Sequence, residues 1–325
     1  MPLATDLAIS PGTWAVLGGL VLALLAFDLL VFGRGRHEVT LRESLVWSVA
    51  WIVLAVGFGG VIWAWQGGTA GSEYLAGYLL ERSLSLDNIF VFAIIFSYFA
   101  VPVAAQPRVL GWGIALALLL RLVFILAGAA LLDAFHVTFY AFGALLLYTA
   151  YKLARHRDHD LEPEQNPALR MLRRKVPMTA GYHGTRLSVR EDGKRLATPL
   201  VAVFVVVATT DIVFAVDSIP AIFAVTREPF VVFAANAFAM LGLRALYFVL
   251  VGLMDRFAYL SYGLAAILAF IGVKMALIDF WHPPIWLSLA VIVGVLAVTA
   301  LLSLRATAPA SGRSGGPRAA TDAQG

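Results

Sequence analysis

E-R-S-L-S-L-D-N at Glu81 to Asn88 and T-D-I-V-F-A-V-D-S-I-P at Thr210 to Pro220 decide the reading of this chain. Each stretch places two carboxylates six residues apart inside an apolar run long enough to cross a bilayer. An acid at that depth costs about 2.5–3.5 kcal/mol even on insertion scales, so it marks a functional site by default.

The rest of the composition agrees with a membrane setting. Hydrophobic residues make up 61% of the 325, charged ones only 14%, and the mean hydropathy is +0.85; in a soluble globule roughly a quarter would be charged. A spanning helix needs about 20 apolar residues. Nine such segments fit, at 14-32, 46-65, 74-99, 109-131, 134-152, 200-225, 230-253, 258-280 and 285-304. The runs are long and continuously apolar rather than alternating over ten residues, which selects helices over a barrel. The expected fold is an all-α polytopic membrane protein, with a transmembrane transporter domain over 10-305. The first segment lacks a basic lead-in and carries Asp28 near its end, so it reads as a retained helix rather than a signal peptide.

Basic residues set the expected orientation. With the N-terminus outside, the inner loops hold Arg34, Arg36, Arg42, Arg108, eleven basic residues from Lys152 to Arg195, Arg256, Arg305, Arg313 and Arg318. The outer loops hold Arg227 alone. An outside N-terminus and a cytoplasmic C-terminus require an odd helix count, which nine satisfies. The pI near 9.4 then reports this asymmetry and implies no nucleic-acid partner.

A hydrophilic linker at 153-199 divides the domain on the cytoplasmic side, and a tail at 306-325, rich in Pro, Gly, Ser and Ala, reads as disordered. Within the linker, His156, Asp158, His159 and Asp160 offer a regulatory or ion-sensing alternative to a plain solvated loop. The flanking segments, 74-152 and 200-280, repeat one another: Glu81, Asp87, Arg121, Asp133 and Lys152 match Asp211, Asp217, Arg244, Asp255 and Lys274 in order. Successive gaps are 6, 34, 12 and 19 against 6, 27, 11 and 19. Three helices per unit invert the second relative to the first, an arrangement found in secondary transporters with the substrate held between the repeats.

Five acids (Asp28, Glu81, Asp87, Asp211, Asp217) and four bases (Arg82, Arg121, Arg244, Lys274) fall inside these segments. Pairing is expected between them, the bases acting as counter-ions or gates, while acids left over await a cation or a proton. Glu81, Ser85 and Asn88 share one helical face, but a residue six positions along is turned away by roughly 120°. Either the helix unwinds or the two acids serve different interfaces. Pro220 favours unwinding in the second stretch, since it removes the donor for the carbonyl of Val216.

Without any cysteine, and with all six histidines at or beyond segment edges, the donor set is oxygen only. Asp87, Asn88, Asp211, Asp217, Asn236 and Glu81 are the candidate metal ligands; they suit Mn(II), Mg(II) or Ca(II) better than Cu(I) or Zn(II). No nucleotide-binding loop, nucleophile–base pair or H-E-x-x-H is present, so neither an enzyme nor a bound cofactor is expected. Proton coupling would use the same carboxylates.

The chain resembles the TerC family, named for tellurite resistance and including Alx-type manganese exporters. The matching stretches are A-F-D-L-L-V-F at Ala26 to Phe32, R-E-S-L-V-W-S-V-A-W-I at Arg42 to Ile52, the two acidic stretches extended to Phe92 and Ile222, and N-A-F-A-M-L-G-L-R-A-L-Y-F at Asn236 to Phe248. The resemblance implies a nine-helix protein of the bacterial plasma (inner) membrane that exports Mn(II), with the motif acids in the ion path and a link to tellurium resistance. From the residues alone, Ca(II) or Mg(II) remain alternatives as cargo. So does a non-transporting scaffold docking partners through the linker. Nothing in the sequence sets an oligomeric state.

Overall fold

The computed structural model describes residues 9–33, 40–155, 166–191, 193–251, 259–280 and 283–306. The group His156, Asp158, His159 and Asp160, the repeat position Asp255 and the tail beyond Ala306 lie outside these residues. The elements run α1 (Pro11–Gly33), α2 (Leu41–Gln66), α3 (Gly68–Tyr98), α4 (Gln106–Ala134), α5 (Val137–Arg155), α6 (Pro167–Lys175), β1 (Ser188–Glu191), β2 (Lys194–Ala197), α7 (Pro199–Phe223), α8 (Pro229–Leu241), α9 (Leu243–Val251), α10 (Leu260–Ala276) and α11 (Ile285–Ala306).

Local chemistry sets many of the boundaries. Proline stands in the first turn of α4, α6, α7 and α8, where a missing N–H loses nothing. Gly67, at φ +92°, ends α2 and starts α3 without a connecting loop. Among the described residues six helices are long and apolar enough to cross a bilayer, or seven with α8 and α9 taken as one bent span. The longest helix, α3, falls outside that group because Glu73, Glu81, Arg82 and Asp87 interrupt its 31 residues.

Polarity is turned inside out relative to a soluble protein. Val16, Leu22 and Val53 are 71%, 67% and 65% exposed, while Arg121 and Arg244 are among the largest fully buried side chains. Exposed Trp63, Trp65, Tyr98, Tyr148, Tyr151 and Trp286 sit near helix ends, where amphipathic rings suit a membrane interface. At the centre lies α8, buried at every residue from Phe230 to Leu241. Around it α3 packs on α8, α4 on both α7 and α8, and α5 along α10.

Three expectations change here. The all-α fold holds for the membrane part, but the 153-199 linker contains the antiparallel β1–β2 hairpin, turned at Gly193 with φ +76°. That linker is no loose loop: Arg108 donates to Thr185, Tyr182 to the carbonyl of Phe99 at 2.6 Å, and Asn166 to Thr209 at 2.8 Å. Pro220 does not unwind its helix, because α7 runs unbroken from Pro199 to Phe223. The break comes instead at Gly242, where the segment expected as one helix at 230-253 splits into α8 and α9 bent by 45°.

Two glycines allow α5 and α10 to touch. A Cβ at Gly143 would come within 2.9 Å of the Ala276 amide nitrogen, and one at Gly272 within 3.1 Å of the Gly143 carbonyl. Small residues at such crossings replace the hydrophobic drive that lipid cannot supply. Gly143→Val should therefore lower stability by about 1–3 kcal/mol, read as a drop in melting temperature in detergent, whereas Gly57→Ala, which meets nothing within 4 Å, should not.

Candidate functional site

Four helices deliver one polar side chain each to a common point beside α8. Glu81 comes from α3, Arg121 from α4, Asp211 from α7 and Asn236 from α8, and none of the four is more than 3% exposed. Arg121 Nη1 donates to Glu81 Oε1 and, at 2.5 Å, to Asn236 Oδ1. Asn236 Nδ2 donates in turn to Glu81 Oε2 at 3.3 Å, and Ser85, one turn along α3, donates to Glu81 Oε1 at 3.4 Å. The other arm of the guanidinium, Nη2, faces Asp211 Oδ1 at 3.9 Å.

Asp211 is the anomaly in this cluster. Neither of its oxygens accepts a hydrogen bond from any described residue, and Arg121 Nε and Nη2 also lack one. A buried carboxylate without donors is expensive, and the apolar surroundings sharpen that cost. Two carboxylates against one guanidinium leave a formal charge of minus one in a dry interior. The arrangement holds a cation between its acids and retains spare acceptor capacity. It does not by itself complete a metal shell: among the described residues no three acidic or histidine side chains converge on one point.

The second acid of each motif goes elsewhere, as a six-residue spacing on straight helices requires. Asp217 accepts from Thr149 of α5 at 3.0 Å with Lys152 in Coulombic reach. Asp87 is partly buried on α3 and lies outside the Glu81–Arg121 cluster's hydrogen bonds, while Asn88 is buried beside it. Of the six candidate ligands, then, Glu81, Asp211 and Asn236 are brought together, and Asp87, Asn88 and Asp217 are not.

Among the candidate counter-ions, Arg121 and Arg244 part company. Arg121 joins the acids of α3 and α7, whereas Arg244 donates to the carboxylate and the backbone carbonyl of Asp28 on α1 and, at 3.4 Å, to the carbonyl of Pro107 on α4. Arg82 turns from its neighbour Glu81 to the carbonyl of Ala239 at 2.8 Å, one of those freed where α8 ends. A bare hydrogen at Gly242 makes room for that guanidinium, since a Cβ there would sit 3.1 Å from Arg82 Nη1. Lys274 donates to Ser288 at 3.2 Å and has Glu73 as its electrostatic partner.

Glu73 is the acid that sequence reading missed. It is buried on α3 and accepts from Thr226 at 2.6 Å, yet it lies one residue before the segment placed at 74-99. The phrase G-G-T-A-G before it was the available signal, because Gly67 lets α3 begin six residues earlier than apolarity suggests.

Comparison with known proteins bears on this cluster. Residues 66–311 match the sequence profile of the family described as "Integral membrane protein TerC family". The chain is 47% identical to "Uncharacterized membrane protein STKORF319" of Myxococcus xanthus, over 91% of this chain and 92% of that one. It is 43% identical to "Putative membrane-bound redox modulator Alx" of Escherichia coli strain K12 and of Salmonella typhi, over 90% of this chain and 94% of each relative. No solved structure matches it.

The Arg244–Asp28 pair gives a structural test separate from the central cluster. Removing one member of a buried pair costs about 3–5 kcal/mol because the other charge stays behind. Asp28→Ala should lower the melting temperature markedly, and Asp28→Ala with Arg244→Met should recover much of the loss in a double-mutant cycle.

Proposed function

The chain belongs to the TerC family of integral membrane proteins, and from that premise we propose that it is a secondary transporter carrying Mn(II) out across the bacterial inner membrane. The observation that carries this reading is the buried Glu81–Arg121–Asp211–Asn236 cluster, where acids from two similar helical segments meet with an unsatisfied carboxylate at the point of contact. Cargo is the simplest reason to keep Asp211 in an apolar interior without a donor.

The chemistry of the donors narrows the cargo. Carboxylate and amide oxygens, in a chain without cysteine, suit hard divalent ions such as Mn(II), Mg(II) and Ca(II). Manganese among these, and outward movement, rest on the family resemblance. Asp87 and Asp217 lie off the central cluster, and we assign them to the path on either side of it, with Asn88.

Architecture supports the same reading. Nine crossings are reached by adding α3 and α10 to the seven apolar spans, which puts the N-terminus outside and the C-terminus in the cytoplasm. The packing of α3 on α8 and of α4 on α7 is what a pair of inverted three-helix repeats would produce, since each first helix then meets the other unit's second helix. The name borne by the Alx relatives speaks of redox modulation. This chain has no cysteine, so thiol exchange has no residue to run on, and any such effect would come through the pool of redox-active cation.

Purified protein in liposomes should move Mn(II) down an imposed gradient, tested against Mg(II), Ca(II) and Zn(II). Glu81→Gln and Asp211→Asn should each reduce the flux about 30- to 150-fold, as loss of a ligand worth about 2–3 kcal/mol would. Full flux in both folded variants would rule out the central cluster as the cation site, and no flux of any ion by the unaltered protein would rule out transport.

A further inference from the structure

We propose that the Arg121 guanidinium is a tethered stand-in for the cargo, seated on the same oxygens that the cation must use, so that each turnover requires it to leave and return. The proposal rests on the cation-site reading and adds how the site is regulated.

Atom by atom, the competition is direct. A cation at the meeting point of the helices would draw on Glu81 Oε1 and Asn236 Oδ1, and these are the two oxygens to which Arg121 Nη1 now donates. Charge points the same way. With Arg121 in place the cluster carries a formal charge of minus one; a divalent ion added to it would bring the buried site to plus one, whereas a divalent ion that replaces the guanidinium brings it to zero. Burial of a net charge in a dry interior is disfavoured in either sign, so ion and arginine exclude one another.

The arginine's hold is also incomplete. It grips Glu81 and Asn236 through one nitrogen, while Nη2 stays 3.9 Å from Asp211 and neither Nη2 nor Nε finds an acceptor among the described residues. A structural guanidinium would be expected to use its planar fork on a carboxylate. This one is bound well enough to tie α3 to α4 and α8 and loosely enough to be displaced. The other fully buried arginine, Arg244, faces a single acid: its Nη2 donates to the side chain and the backbone carbonyl of Asp28, and its Nη1 to the carbonyl of Pro107 at 3.4 Å.

A built-in competitor lowers apparent affinity by the fraction of molecules whose site is free of it. Removing it should tighten cation binding, an outcome that mere damage to the fold would not give. Mn(II) binding to detergent-solubilised protein, followed by titration calorimetry at fixed pH, should show Arg121→Ala binding about 10-fold more tightly than the unaltered protein, a gain of about 1.4 kcal/mol. Arg121→Lys should fall between the two, since an ammonium offers one compact point of charge in place of the fork. Free guanidinium at millimolar concentration should then compete with Mn(II) in Arg121→Ala and leave the unaltered protein unaffected. If Arg121→Ala does not elute as a single folded species, Arg121→Lys carries the test by its tighter binding.

Equal or weaker Mn(II) binding in the folded arginine variants overturns the proposal. Tighter binding in Arg121→Ala that guanidinium does not oppose also overturns it, since that is long-range repulsion without shared occupancy. The underlying site reading fails separately, if Glu81→Gln and Asp211→Asn bind Mn(II) as well as the unaltered protein does.

Discussion

The ion pair between Arg121 and Glu81, extended to Asp211 and Asn236, is the interaction on which the rest of the structure turns. It ties α3 and α4 to α7 and α8, so the segments on either side of the linker are joined through charge. Lipid cannot drive helices together by the hydrophobic effect, because a helix leaves one apolar medium for another. Polar contacts and close packing must do it. Here the polar contact lies around α8, the helix with no exposed residue along its body, and the closest packing lies where Gly143 and Gly272 let α5 and α10 meet.

The same cluster is also where the interior is least satisfied. Asp211 has no donor, and two of the three guanidinium nitrogens of Arg121 have no acceptor. In a site meant only for stability that deficit would be hard to understand, since apolar residues of similar volume often hold helices as well or better than a buried ion pair. A site that must bind and release charge has to keep some of its capacity unspent. The Arg244–Asp28 pair likewise leaves Asp28 Oδ1 without a donor among the described residues, but it sets one acid against one base, whereas Arg121 is placed between the acids of α3 and α7.

Much of this was legible in the residues. Charges in apolar runs named Glu81, Asp211, Arg121 and Asn236, and helical geometry required the two acids of each motif to separate unless the helix broke. The break was sought in the wrong place. Pro220 was the obvious candidate, but it lies three residues from the end of α7, where the helix has few hydrogen bonds left to lose. The real interruption at Gly242 carries no proline and is held by Arg82, a residue 160 positions earlier in the chain. Glu73 escaped notice for a plainer reason: an apolar window begins after it, whereas the helix begins before it.

By itself, the sequence determined the membrane class, the family, most of the helical segments and the identity of the buried charges other than Glu73. Those follow from local properties: apolar run length, residue type and spacing along one chain. Only the tertiary structure decided which charge meets which, that Arg121 takes acids from both halves while Arg244 takes Asp28, and that Asp217 belongs with Thr149 instead of Asp211. Spacing constrains only which residues of one helix share a face. Which faces meet, and so which oxygens are left without a donor, depends on how the helices pack against one another.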